Sequence, residues 1–215
     1  AVVQVAHKGE TADTVDQYLC RVPKALRMDL LRAILDDYGS ERVIVFVRTR
    51  RRADSACRKL KKWGFAAEPL HSDRSQNQRD RALRNFAQGK TDILVATDVL
   101  ARGIDVDQVA YVVNFDLPAV PEDYVHRIGR TGRAGAEGFA VSFAIPETEE
   151  ELAAIEKLIK RPIPALEVAS FDVEQAAAES AARATQASAR KDPELAQAAK
   201  EMRARERKKA KAKEK

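Results

Sequence analysis

Ile93-Leu94-Val95-Ala96-Thr97-Asp98-Val99-Leu100-Ala101-Arg102-Gly103-Ile104-Asp105 decides how this chain folds, and His126-Arg127-Ile128-Gly129-Arg130-Thr131-Gly132-Arg133 answers it downstream. The apolar run that opens the first stretch is too short for a helix core and is bounded by polar residues. It therefore reads as a buried strand emptying into a loop. In an open α/β sheet, ligands bind in the crevice beyond the carboxyl ends of the strands, which is where Thr97, Asp98, Gly103 and Asp105 fall. Either carboxylate suits a sugar hydroxyl or a cation; for Asp98 a helix N-cap is the plainer alternative. In the second stretch Arg127, Arg130 and Arg133 recur at a spacing of three. On a helical turn that spacing brings the later two guanidinium groups to one side, ready for a phosphate. A solvated helix face is the competing reading. Gly129, Gly132 and Gly135 speak against it, because each glycine costs a helix about 1 kcal/mol relative to alanine, whereas close approach of backbone to a ligand is what glycine permits.

Working outward, strand and helix signals alternate. Val15–Val22 reads as a strand, Pro23 punctuates it, and Leu26, Leu30, Leu31, Ile34 and Leu35 recur at helical spacing up to Gly39. Val43–Val47 is an apolar strand, and Arg50–Trp63 a helix with Ala53, Ala56, Cys57 and Leu60 facing inward. Ala66–Leu70 is a short strand, and Ser75–Gln88 a helix stopped by Gly89. Ile93–Ala96, Val109–Val113 and Phe139–Phe143 add strands, Pro121–Arg127 a helix, and Glu147–Ile159 a closing helix. This alternation implies an α/β fold with a parallel, doubly wound sheet. Polar residues 1–14 suggest a linker, residues 15–164 the domain, and residues 165–215 a helix-prone extension that follows Arg161-Pro162-Ile163-Pro164. In that extension Asp192-Pro193-Glu194 is a helix start, but few large apolar residues follow it.

At these residues the chain resembles a known family. Ala96–Asp105 followed by His126–Arg133 is similar, in composition, order and separation, to motifs V and VI of the DEAD-box RNA helicases. The similarity, to the C-terminal RecA-like lobe, covers roughly Val15 to Pro164. It implies that Arg130 and Arg133 deliver positive charge to the γ-phosphate of ATP, and that Gly103 and Asp105 contact the nucleotide, Asp105 through ribose hydroxyls. His126 would couple the two lobes, and Arg127 would hold its segment by pairing with a carboxylate. Thr49, Arg79 of Gln76-Asn77-Gln78-Arg79, and Thr97 would touch the RNA backbone and so bind without reading sequence. ATP and Mg2+ are the implied cofactors. The chain has neither a G-x-x-x-x-G-K-[ST] loop nor a D-E-A-D tetrapeptide, so the family's phosphate loop and metal site belong to the N-terminal lobe, the first expected partner. Where most members have His-Gly-Asp, this chain has His71-Ser72-Asp73; a positive φ there would strain Ser72, and otherwise the change is neutral.

Composition sets the outer bounds. At 215 residues and 45% hydrophobic the chain suffices for one well-buried domain and an appendage. Cys20 and Cys57 make neither a disulfide framework nor a metal cluster, which favours a reducing, cytoplasmic setting. No apolar run is long enough for a bilayer, and no leader is expected. Net charge is +2 over residues 1–161, −3 over 162–189 and +6 over 190–215, so the tail is suited to a polyanion, with a protein partner as the alternative. Two other functions compete with a helicase lobe: a non-enzymatic RNA- or protein-binding module on a RecA-like scaffold, and a DNA translocase. Retention of every expected arginine weighs against the first, and His126 in place of Gln against the second.

Overall fold

The computed structural model describes residues 15–98, 109–132, 138–180 and 182. Six strands, β1 (Asp16–Arg21), β2 (Val43–Phe46), β3 (Ala67–Leu70), β4 (Ile93–Ala96), β5 (Tyr111–Asn114) and β6 (Phe139–Ala144), form one sheet in the order β1-β6-β5-β2-β4-β3. Every pairing is parallel. The described helices are α1 (Arg27–Tyr38), α2 (Arg50–Lys62), α3 (Gln76–Ala87), α4 (Pro121–Ile128) and α5 (Glu149–Ile159), with 3-10 turns at Lys24–Leu26 and Pro146–Thr148. The expected doubly wound parallel sheet is what the residues build. β2, β4 and β5 are buried along their whole length, as apolar strands with both faces covered must be.

Local chemistry explains where the helices begin. Thr49 caps α2, its hydroxyl accepting from the Arg52 amide at 3.2 Å. Ser75 and Gln78 make a reciprocal capping box on α3, the Ser75 amide donating to Gln78 Oε1 at 3.0 Å and the Gln78 amide to Ser75 Oγ at 3.3 Å. Ala53, Ala56, Cys57 and Leu60 form the buried side of α2. The sheet edges are also protected. Pro69 lies inside β3, at one edge, where a missing N–H removes no ladder bond. β1, at the other, receives a further extended segment: the Leu19 amide donates to Pro164 O at 2.8 Å and the Leu166 amide to Leu19 O at 2.9 Å.

Several expectations shift in detail. The compact unit runs on through Phe171, past the Pro164 boundary, because the segment after α5 docks on β1. Val109 is not part of β5; it makes a separate bridge with Thr131. Ser72 is not among the left-handed non-glycine residues, Arg42 and Lys160, so the His71-Ser72-Asp73 variation is free of backbone strain. In the second unit, residues 173–180 are helical and Asp172 caps them, accepting from the Gln175 amide at 2.9 Å. The linker at 1–14, the helix start at Asp192 and the basic tail lie outside the described residues.

Candidate functional site

Both key stretches converge on one buried side chain. Arg127, in the last turn of α4, is 2% exposed and points back under the carboxyl ends of the central strands. Its Nε and Nη2 donate to the two oxygens of Asp98 at 2.5 and 2.8 Å. Its Nη1 donates to Asp116 O at 2.6 Å and Asn114 Oδ1 at 3.2 Å, and the guanidinium lies 5.1 Å from the centre of the Phe46 ring. Phe46 ends β2, Asn114 ends β5 and Asp98 follows β4, so this one residue bolts together three strands that are neighbours in the order β5-β2-β4. A bidentate guanidinium–carboxylate pair is among the strongest polar contacts available to a protein. It also occupies the carboxylate of Asp98, which is therefore committed to Arg127 rather than held open for a sugar or cation.

A second charged network adjoins the first. Asp116, 6% exposed, accepts from Arg27 Nη1 at 2.6 Å, from Arg52 Nη1, and through Oδ2 from the Arg48 amide at 2.9 Å. Burial pulls this carboxyl toward protonation, but Arg52, the Arg48 amide and Arg27 outweigh it and hold its pKa below the ordinary carboxylate value. Asp54 behaves alike: burial raises it, and hydrogen bonds from Arg74 and His71 bring it below the ordinary value. A carboxylate whose folded pKa is depressed contributes stability that is complete above its unfolded value, about 3.9, and is lost as pH falls through the folded value. Acid unfolding of this domain should therefore steepen below about pH 4. Urea midpoints followed from about pH 7 down to about pH 3 should show a flatter acid limb for Asp116→Asn than for the parent. Parallel limbs would show that Asp116 carries none of the linkage.

The three candidate backbone-contacting residues form a row. Thr49 follows β2, Thr97 follows β4 and Arg79 lies in α3, which follows β3; β2, β4 and β3 are adjacent in the sheet. Thr49 is exposed, while Thr97 is 6% exposed, its amide donating to Leu70 O at 3.2 Å. Arg79 donates through Nη2 to Gln76 Oε1, and its Nε is buried without a partner among the described residues. Beside Thr49 opens a cavity of about 250 Å³ lined by Lys24, Arg27, Arg48 and Arg52 against Asp116 and Glu147, a basic recess at the end of the row.

Arg127 and Arg130 do not share a helical face. α4 ends at Ile128, and Gly129 and Arg130 form a turn. Arg127 faces inward, while the half-buried Arg130 folds back, its Nε donating to His126 O at 3.1 Å. The His126 side chain is exposed. Thr131 then anchors the turn, its hydroxyl bonding to Val109 O at 2.7 Å and lying 3.0 Å from Ala110 O. Gly132 takes φ +65, and a Cβ on Gly138 would sit 2.1 Å from the Thr131 hydroxyl, so glycine is needed at both for steric reasons. Gly103, Asp105 and Arg133 lie outside the described residues. Among the described residues no group of three or more His, Cys, Asp or Glu could hold a metal. Sequence reasoning passed over Asn114, Asp116 and Thr131. The signal for the first two was available, since Asn114-Phe115-Asp116 puts polar groups directly after an apolar run.

Comparison with known proteins is consistent along most of the chain. Residues 26–135 match the model of the helicase conserved C-terminal domain. An ATP-dependent RNA helicase CshA of Listeria monocytogenes is 42% identical over 171 residues, which is 80% of this chain and 33% of that relative. The chain thus spans about a third of the length of the curated relatives it matches. A DEAD box protein from the hyperthermophile Methanococcus jannaschii superposes with a TM-score of 0.69 at 38% identity, over 74% of this chain and 43% of that one. The S. cerevisiae Dbp5 structure, bound to RNA and ADP BeF3, gives a TM-score of 0.67 at 36% identity, over 72% and 42%.

Proposed function

Because this chain belongs to the helicase conserved C-terminal domain family, in its DEAD-box branch, we propose that it serves as the RNA-contacting, phosphate-facing lobe of an ATP-dependent RNA helicase that opens duplexes locally and without sequence preference. The observation that carries this reading is the Arg127–Asp98 pair. Asp98 is the immediate neighbour of Thr97, on the RNA side, and Arg127 stands between His126 and Arg130, on the nucleotide side. A displacement of the α4 end by closure onto ATP is in this way passed through a rigid, bidentate contact to a residue that holds the RNA backbone.

The division of labour follows from charge. Arg130 and Arg133 supply positive charge to the γ-phosphate, where phosphoryl transfer needs electrostatic help more than covalent chemistry. Gly103 and Asp105 meet the nucleotide, and Thr49, Thr97 and Arg79 hold RNA phosphates that fix register without specifying sequence. ATP enters with Mg2+, whose ligands are assigned to the N-terminal lobe. The extension, basic over residues 190–215, adds a tether for RNA or a docking segment for a protein. The proposed setting is cytoplasmic: Cys20 and Cys57 are free buried thiols, pushed up to about 12 by desolvation. No helix among the described residues is long and apolar enough to cross a membrane.

The test is a comparison of the chain alone with the same chain joined to an ATP-binding lobe. Alone it should show no RNA-stimulated ATP hydrolysis, and joined it should. Robust RNA-stimulated turnover by the 215-residue chain alone would sink the assignment of phosphate loop and metal site to the other lobe.

A further inference from the structure

Among the described elements α2 is the most unevenly charged. Its thirteen residues include Arg50, Arg51, Arg52, Arg58, Lys59, Lys61 and Lys62 against a single acid, Asp54. That is a net +6 within residues 1–161, which total +2, so the remainder of that stretch is −4. Some of the charge is spent inside the fold: Arg50 pairs with Asp73, Arg52 with Asp116, and Lys59 with Asp29 at 3.6 Å while lying 4.8 Å from the centre of the Trp63 ring. The rest forms a pattern. Arg51, Ser55, Arg58 and Lys62 are all exposed and recur at i, i+4, i+7 and i+11, one straight stripe on the helix surface. The stripe lies directly opposite the buried side made by Ala53, Ala56, Cys57 and Leu60. None of its three cations has an ion pair among the described residues.

A plain solubilising face accounts poorly for this. Basic residues near the carboxyl end of a helix are favoured by its dipole, which covers Lys61 and Lys62, but Arg51 sits in the first turn, where the dipole opposes it. No acidic residue occurs in that turn. Arg58 and Lys62 are like charges four apart, and Arg58 and Lys61 three apart, each costing a few tenths of a kcal/mol. Neighbouring α1, by contrast, mixes signs, with Arg32 and Asp36 paired at 3.4 Å. Charge held without compensation in this way suits a polyanion that compensates it on binding.

We infer that the outer stripe of α2, Arg51, Arg58 and Lys62, is a second contact surface for the phosphates of RNA, continuing the path that Thr49 begins. This rests on the reading of the Thr49–Thr97–Arg79 row as the RNA-holding crevice. Continuity is the first argument: Thr49 is the N-cap of this same helix, so the stripe starts where the row ends, next to the basic recess formed by Lys24, Arg48 and Arg52. Length is the second. From Arg51 to Lys62 the helix rises about 16 Å, the span of about five stacked nucleotides at about 3.4 Å each. Composition is the third. A protein-docking surface draws its strength from buried aromatic and aliphatic anchors, and the stripe offers only Arg, Ser and Lys. The contact would position the flank of a bound strand and would not read its sequence.

The 215-residue chain carrying R51Q, R58Q and K62Q together, compared with the parent across a salt series, tests this on two unstructured RNA oligonucleotides. One oligonucleotide just fills the crevice and the other is longer by about five nucleotides. Each phosphate contact on a single strand contributes about 0.7 to the salt slope, so the triple variant should lose about 2 units of slope on the longer RNA and nothing on the shorter one. The conservative variant R51K/R58K/K62R should keep the parent slope on both, which separates lost charge from altered folding. Arg79→Ala should weaken both oligonucleotides. A triple variant with the parent's slope on the longer RNA overturns the inference, as does an equal loss on both lengths. If Arg79→Ala leaves both RNAs unaffected while the triple variant weakens the longer one, the stripe stands and the crevice assignment falls. Failure of the parent to bind either RNA removes both.

Discussion

Replacing Arg127 by alanine should destabilise the domain by about 3–5 kcal/mol, the range for breaking a buried ion pair by deleting one partner. For a chain of this size that corresponds to a fall in melting temperature of about 6–20 °C, against a total stability of about 5–15 kcal/mol for ordinary domains. The loss has four parts. The Asp98 carboxylate, bonded through both oxygens, is left without its counter-charge. Asn114 Oδ1 and Asp116 O lose the donor they share. The Phe46 ring loses the cation 5.1 Å from its centre, and a void opens where three strand ends meet. Arg127→Lys keeps the charge but cannot make the bidentate contact, and should recover only part of the stability. A double-mutant cycle with Asp98→Ala measures the pair itself, with an expected coupling of about 0.5–3 kcal/mol. If Arg127→Ala melted within about 2 °C of the parent, the bolt across the strand ends would be carrying no load.

The part of this site that the sequence displays is the part that is local. Ile93-Leu94-Val95 declares a buried strand by composition, Ser75 and Gln78 declare a capped helix by spacing, and the strand-helix alternation then leaves little choice but a parallel sheet. Because the crevice lies beyond the carboxyl ends of such strands, Thr97 could be placed in it from the sequence, whereas Thr49 and Arg79 were legible only through motif resemblance. What periodicity could not give is which way an arginine turns. Arg127 and Arg130 look equivalent at a spacing of three, yet α4 stops at Ile128, so one guanidinium enters the core and the other belongs to a turn. Asp116 stands out as a polar residue just after an apolar run, but its role was hidden for a different reason. Its partners, the Arg27 guanidinium, the Arg48 amide and the Arg52 guanidinium, are 89, 68 and 64 residues away in the chain, and no local pattern records a contact made by folding. Gly103, Asp105 and Arg133, read from motif resemblance, lie outside the described residues and keep that standing.

In a protein that joins this lobe to its ATP-binding partner, Arg130→Ala should lower RNA-stimulated hydrolysis by about 10³–10⁵-fold, equivalent to about 4–7 kcal/mol of transition-state stabilisation. The melting temperature of the lobe should stay within about 2 °C of the parent. The contrast with Arg127 rests on position. Arg130 is half-buried in the turn after α4, its guanidinium Nε donating to a carbonyl of the preceding helix, His126 O, so truncating it leaves the buried Arg127–Asp98 pair in place. In the role proposed for Arg130, what is lost is positive charge at the place where the γ-phosphate develops negative charge, an interaction stronger in the transition state than in the ground state and therefore visible in kcat more than in the KM for ATP. RNA binding without nucleotide should be unchanged, since Thr49, Thr97 and Arg79 lie along the other strand ends. Arg130→Lys should restore a fraction of the rate, because a point charge reaches the phosphate without the planar fork. Steady-state hydrolysis and thermal melts on the same preparations separate the possibilities. A parent-like kcat for Arg130→Ala would remove the residue from the chemistry, and a loss of rate matched by a loss of melting temperature would make it a structural neighbour of Arg127 instead.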